Sequence, residues 1–173
     1  MFIPMEDNSQ RLELDKTDLA ILDEVQRDGR ISNTELASRI ELSPPATHAR
    51  LKRLQSDGYI RRYVALLDQE KMGFDMTCFV SISLRMHGPA ELAGFRASVY
   101  ELSEVLDCYH VTGEFDYLLR VVVRNRKELQ RFVERKLTPI PGVARIYTSL
   151  VLEEIKSSTA LPFGAAAEEE AAP

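Results

Sequence analysis

Two hydrophobic periods follow one another along this chain, and the change between them limits the fold more than any other feature. Up to Gly58 the apolar residues recur at helical spacing, whereas Met76, Cys78, Val80, Ile82 and Leu84 alternate strictly with Thr77, Phe79, Ser81, Ser83 and Arg85. The first pattern lays an apolar stripe along helices; the second makes a strand with one apolar face. The fold class is therefore α+β, with a helical first part and a sheet-bearing second part. The 173 residues suffice for one ordinary domain or two small ones.

The first part predicts three helices with tight stops. Asp15 is placed to cap a helix carrying Leu19, Ile21, Leu22 and Val25, which ends at Asp28-Gly29. Ser32-Asn33-Thr34-Glu35 reads as a capping box ahead of Leu36, Ala37 and Ile40. After Glu41-Leu42, Ser43 caps a third helix with Pro44 at its first position, where a missing N–H costs nothing, and Gly58 closes it. A turn of about three residues between the second and third helices is the connection of a helix-turn-helix. Tyr59–Leu67 is rich in β-formers and suits a small β-wing. The polar run at 68–73, ending in Gly73, marks the domain boundary.

Beyond it the order reads β-α-β-β-α-β, the ferredoxin-like arrangement. The alternating strand is broken by His87-Gly88-Pro89, and Leu92, Phe95, Val99 and Leu102 follow at helical spacing. Val105–Thr112 and Tyr117–Arg124 are strand-like and separated by Gly113-Glu114-Phe115-Asp116, a hairpin-length loop. A helix with Leu129, Phe132, Val133 and Leu137 on one face ends at Pro139-Ile140-Pro141-Gly142, before a last strand from Val143 to about Glu153. Residues 161–173 are Ala/Glu-rich and are expected to be a disordered tail.

Several function classes fall away on composition. No apolar run approaches the roughly 20 residues of a membrane span, and the start MFIPMEDNSQ lacks the features of a signal peptide, so a cytoplasmic protein is expected. Cys78 and Cys108 sit in apolar segments without a Cys-x-x-Cys and read as small buried hydrophobes rather than a disulfide or zinc pair. His48, His87 and His110 are isolated, no Gly-rich phosphate loop precedes a helix, and Ser81 and Ser83 have no neighbouring base; catalytic and metal chemistry find no support. The net charge is −5, yet between Ser43 and Ala65 five basic residues face one acid, Asp57. One short stretch is therefore expected to carry the basic surface of an acidic chain.

Two constellations remain. On the third helix Thr47, Leu51 and Leu54 form the packing stripe, leaving Ser43, Pro45, Ala46, His48, Ala49, Arg50, Lys52 and Arg53 outward, with Arg61 and Arg62 on the wing. Small residues for close approach beside long donors are what a helix in the major groove needs. A solvated basic face has the same composition; the short capped turn before it favours DNA. Asp15, Asp18, Asp23 and Glu24 of the first helix are expected to face away from the phosphates. The second constellation is the loop at Gly113 and Asp116, where backbone amides could take a carboxylate and Asp116 an ammonium. The same residues also fit a plain structural use, Gly113 making the turn and Asp116 capping it.

The run LDKTDLAILDEVQRDGRISNTELASRIELSPPATHARLKRLQSDGYI, with VTGEFDYLLRVVV and PGVARIYTSLVLEEIK, resembles the Lrp/AsnC (feast/famine) family of bacterial and archaeal transcription regulators from Leu14 to Leu161. The resemblance implies a winged helix-turn-helix at 14–67, a linker at 68–73 and a ferredoxin-like (RAM/AsnC-type) effector-binding and oligomerisation domain at 74–155. It implies sequence-specific binding of double-stranded DNA, controlling amino-acid metabolism genes under an amino-acid effector, leucine or another apolar one, with no metal or other cofactor. The implied assembly is a homodimer that packs its sheets together and builds to a tetramer or octamer, cytoplasmic and nucleoid-associated. Gly113 and Asp116 match the family's effector loop, His110 and Thr112 are its strand neighbours, and Ser149 and Leu150 match positions that influence the leucine response. Pro45-Ala46-Thr47-His48 departs from the Thr-Pro-Cys-Leu of the leucine branch, so no DNA sequence preference carries over. Two alternatives stay open: an enzyme of the sirohaem decarboxylase type, which would need histidines and arginines gathered in a cavity, and a sensor acting on another protein.

Overall fold

A computed structural model describes residues 14–163. The described residues form two compact units: the first takes 14–65 together with 157–163, and the second takes Leu66–Lys156.

The first unit contains α1 (Lys16–Arg27), α2 (Asn33–Arg39) and α3 (Pro44–Ser56). Ile21, Val25, Leu36 and Leu54 form its core, with Leu14, Leu22, Ile31, Ile40, Leu51 and Ile60 packed around them. The expected capping residues behave in three ways. Asp15 and Asp18 make a full reciprocal box at the start of α1. Ser32 accepts from the Glu35 amide at 3.1 Å, but the Glu35 carboxylate turns to Arg39 instead of reaching back. Ser43 makes no side-chain cap bond. Pro44 and Pro45 supply no N–H in the first turn, which removes donors that a cap serves. α2 ends with the Leu42 amide bonded to Ala37 O at 2.9 Å, which places Glu41 in the left-handed region at φ 54°.

The segment Tyr59–Leu67 pairs into no strand in this single chain, and Tyr63, Val64, Leu66 and Leu67 lie exposed along it. Strand propensity records how well a side chain fits a half-buried sheet, and without a partner ladder it does not make one. Leu161, the first residue of the expected tail, is bonded to α1. The Leu161 amide donates to Gln26 Oε1 at 2.8 Å and Gln26 Nε2 donates to Leu161 O at 3.0 Å, so this residue is held against α1. Residues 164–173 lie outside the described residues.

In the second unit β1 (Met76–Leu84), β2 (Val105–His110), β3 (Tyr117–Val123) and β4 (Val143–Leu150) form an antiparallel sheet in the order β2-β3-β1-β4. The helices α4 (Pro89–Tyr100) and α5 (Arg126–Phe132) come between strands as the βαββαβ order requires. Cys78, Val80, Ile82, Leu84, Tyr117, Leu119, Val121 and Val123 share a core with Phe95, Val99, Phe132, Leu137 and Ile140. The alternation in β1 thus sends its apolar face toward the helices. Phe79, Tyr109 and Tyr147 remain exposed, and the pairing of Ser81 with Tyr147 and of Tyr109 with Leu118 puts them on the opposite, open face.

Two details correct the expectation. α5 continues as a π-helical turn, Val133–Leu137, closed by a 2.9 Å bond from the Thr138 amide to Val133 O. Phe132 and Leu137 are five residues apart and both buried, and a regular α-helix would separate them by about 140° around its axis. The widened turn places both against the sheet. Cys78 is buried as expected, whereas Cys108 is exposed on the edge strand β2. Its pairing with Leu119 turns the side chain to the helix side, where desolvation of the sulfur pushes the thiol up to about 11 although the residue as a whole stays exposed.

Candidate functional site

Helix α3 is presented by a set of polar clamps around its apolar stripe. Thr47 and Leu54 are fully buried and the Thr47 hydroxyl donates to Ser43 O at 3.1 Å. Asn33 Nδ2 donates to Pro44 O at 2.9 Å, tying the start of α2 to the start of α3, and Arg39 bonds Glu24 of α1 at 2.7 Å. The turn Ile40–Ser43 is thereby fixed from both sides. Outward from it stand Ser43, Pro45, His48, Ala49, Lys52 and Arg53 exposed, with Ala46 half-buried.

Two arginines of α3 are engaged within the unit. Arg50 Nη1 lies 2.6 Å from Asp15 Oδ2 and 2.9 Å from Asp18 Oδ1, and Arg53 Nη2 lies 2.5 Å from Asp18 Oδ2. Asp18 is 1% exposed. Asp15 and Asp18 thus face α3, and Arg50 and Arg53 hold α3 onto α1. Missing from the sequence was the angle at which α1 crosses α3, which only packing sets. Lys52, Arg61 and Arg62 are exposed and carry no ion pair among the described residues. They are the cations of this surface that remain to meet an anion.

In the second unit the connection from β2 to β3 is built by the β1 end that it crosses. The Val111 amide bonds Asp116 O and the Asp116 amide bonds Ile82 O, both at 2.9 Å. Asp116 Oδ2 accepts from the Leu84 amide at 2.7 Å, and Oδ1 lies 2.9 Å from His87 Nε2. The Leu84 N–H first, and then His87 and His110, hold the Asp116 carboxyl below the usual carboxylate value. Asp116 thus anchors the loop with both oxygens. Gly113 adopts φ 120°, a region where a Cβ is strained, and the amides of Gly113 and Glu114 make no hydrogen bond among the described residues. Arg145 braces the loop from β4, 2.9 Å from Glu114 Oε1 and 4.8 Å from the Phe115 ring centroid.

His110 stacks on Tyr117 with ring centroids 4.9 Å apart, and Thr112 is exposed beside Gly113. His110, Thr112, Gly113 and Asp116 are thus gathered at one end of the sheet. Ser149 and Leu150 are not: they pair with Phe79 and Cys78, three and four residues along β1 from Ile82, roughly 10–14 Å away. Sequence reading missed His87, Leu84 and Arg145, which no local spacing connects to the loop; the antiparallel register of β1 delivers them.

Comparison with known proteins finds two family matches along the chain. The winged helix-turn-helix DNA-binding family matches residues 14–61, and the Lrp/AsnC ligand binding domain family matches residues 77–161. The chain belongs to the Lrp/AsnC family. The leucine-responsive regulatory protein of Salmonella typhimurium is 39% identical over 149 residues, covering 86% of this chain and 91% of that protein. Among solved structures, a transcriptional regulator from Neisseria meningitidis in complex with L-Met is 39% identical, with a TM-score of 0.86 over 89% of this chain and 99% of that one. An AsnC family transcriptional regulator from Agrobacterium tumefaciens is 35% identical, with a TM-score of 0.83 over 88% and 99%. As an Lrp/AsnC protein the chain is a DNA-binding transcription regulator with a ligand-binding domain; the tetrapyrrole-enzyme alternative finds no support among these relatives. Among the described residues there is no group of His, Cys, Asp or Glu that could hold a metal, and no helix is long and apolar enough to cross a membrane.

Proposed function

We propose that this Lrp/AsnC regulator reads double-stranded DNA with the outer face of α3 and adjusts that binding to a small apolar amino acid held at the Gly113–Asp116 loop. The observation that carries the effector reading is the pair of unused amides at Gly113 and Glu114 on a loop fixed by Asp116. Backbone N–H groups left without a partner suit a carboxylate, and the relative from Neisseria meningitidis is a complex with L-Met. Asp116 acts here as the positioning residue of the loop, and leucine and methionine are the first effectors to test. On the DNA side Ser43, Pro45, Ala46, His48 and Ala49 approach the groove, Lys52, Arg61 and Arg62 contact phosphates or base edges, and Arg50 and Arg53 set the angle of α3.

The working division is 14–67 for DNA binding and 74–155 for effector binding and assembly. Exposed Phe79, Tyr109 and Tyr147 on the open sheet face support a homodimer packed through that face. Dimers associate further, to a tetramer or octamer, and Ser149 and Leu150 join the effector site only where a second chain brings them near. The protein acts in the cytoplasm, on the nucleoid, at amino-acid metabolism genes. Fluorescence anisotropy with a labelled promoter duplex tests the proposal. Leucine or methionine should change the apparent affinity of the wild type, and an affinity indifferent to every amino acid would overturn the effector half. Lys52→Ala should weaken DNA binding and lower the salt slope by about 1 at unchanged melting midpoint; unchanged binding would remove α3's outer face from the DNA.

A further inference from the structure

The second unit carries a cationic feature used by neither proposed site. Residues 124–136 hold six basic side chains, Arg124, Arg126, Lys127, Arg131, Arg135 and Lys136, against Glu128 and Glu134. This corrects the expectation of a single basic stretch: the second one sits on α5 and its π-turn. Arg124, Arg131, Arg135 and Lys136 line one concavity of about 540 Å³ floored by Phe74, Val123 and Phe132. Val123 pairs with Met76, at the start of β1, so this groove and the Gly113 loop stand at opposite ends of the sheet.

The two carboxylates on its rim are already engaged. Glu104 Oε1 lies 2.5 Å from Lys136 Nζ, and Glu128 accepts from the Arg124 amide at 3.0 Å. Arg124 lays its guanidinium over the Phe74 ring, 5.6 Å from the centroid. Arg131 and Arg135 carry no ion pair or side-chain hydrogen bond among the described residues. Their i, i+4 spacing sets them on one helix face, and the π-turn swings Lys136 toward Arg131, from which a regular helix would turn it by about 140°. π-turns of this kind concentrate at functional positions.

Three arginines line one groove, two of them without an ion pair, while Glu104 is paired with Lys136 and Glu128 accepts a backbone amide. Three positive charges against one unpaired carboxylate match an anion with several oxygens. One carboxylate occupies one fork, whereas phosphoryl oxygens can bridge two or three. We propose that this groove is a phosphate-binding site, with Arg124, Arg131 and Arg135 as its ligating residues and Lys136 as a supporting charge. The phosphoryl group comes either from a small polyphosphate molecule or from the backbone of DNA running past the operator.

The test compares the full-length wild type, the double variant Arg131→Gln with Arg135→Gln, and a control of equal charge loss outside the groove, Arg126→Gln with Lys127→Gln. All four residues are exposed, so both variants should melt like the wild type without ligand. Sodium pyrophosphate at constant ionic strength should raise the wild-type and control midpoints saturably and leave the groove variant unmoved. In parallel, affinity for a short and a long promoter duplex is followed against salt. If DNA supplies the phosphate, the groove variant loses about 2 from the salt slope on the long duplex alone; if a small molecule does, pyrophosphate binding is lost at unchanged DNA slopes. Equal behaviour of groove and control variants in both arms would overturn the site.

Discussion

Asp18 shows how one side chain can read as one thing in sequence and act as another in the fold. At the third position of α1 it closes a capping box with Asp15, which its spacing permits, but its buried carboxylate also receives Arg50 and Arg53 from α3. Asp18→Ala removes these charge-assisted bonds and leaves two guanidinium groups without that partner, at about 2 kcal/mol; urea unfolding of the full chain should show the loss in its helical transition, and DNA binding should fall with it. A melting curve unchanged by the substitution would return Arg50 and Arg53 to the DNA. Asp116 carries a pH dependence of definite sign. Its folded carboxyl lies below the ordinary value because the Leu84 N–H and then His87 and His110 favour the anion, so the stability it contributes is present above that ordinary value and is lost as pH falls through the lowered one. The wild type should therefore exceed Asp116→Asn in stability at neutral pH, with the gap closing below about pH 4; a gap constant with pH would mean the charge does nothing.

At the level of elements, the three helices, the four strands and the Gly113 loop were legible because each is written in local periods and stops. Residues that act through register were not. Arg145, His87 and the Leu84 amide reach the loop only because β1 pairs with β3 and β4 in one alignment, and Arg50 and Arg53 meet Asp18 through a helix packing that no local spacing encodes. Tyr59–Leu67 shows the converse, β-forming residues without a ladder to join. The helix after β3 was legible as a helix but not as one ending in a π-turn, since Leu129, Val133 and Leu137 satisfy an ordinary four-residue repeat. Leu137→Ala, which empties the buried side of that turn, should cost about 3 kcal/mol and reduce pyrophosphate binding by displacing Arg135 and Lys136. Undiminished stability would show that the turn is not held by its core contacts.

On the scale of the whole molecule, one core carries helix α3 and another carries a sheet with the Gly113–Asp116 loop at one end and a cationic groove at the other. The two cores share no residue, so under the proposed function a substitution in one unit is expected to leave the other unit's binding in place, and any coupling between them is a free energy that both ligands must feel. The central claim is that the Gly113–Asp116 loop takes an amino acid. Thermal unfolding of the wild type and of Asp116→Ala against each of the twenty amino acids addresses it most directly, because a ligand selective for the folded state raises the midpoint by mass action. The account predicts a rise confined to a few apolar amino acids, leucine or methionine among them, and lost in Asp116→Ala; a midpoint that no amino acid moves, or a rise that survives the substitution undiminished, would contradict it.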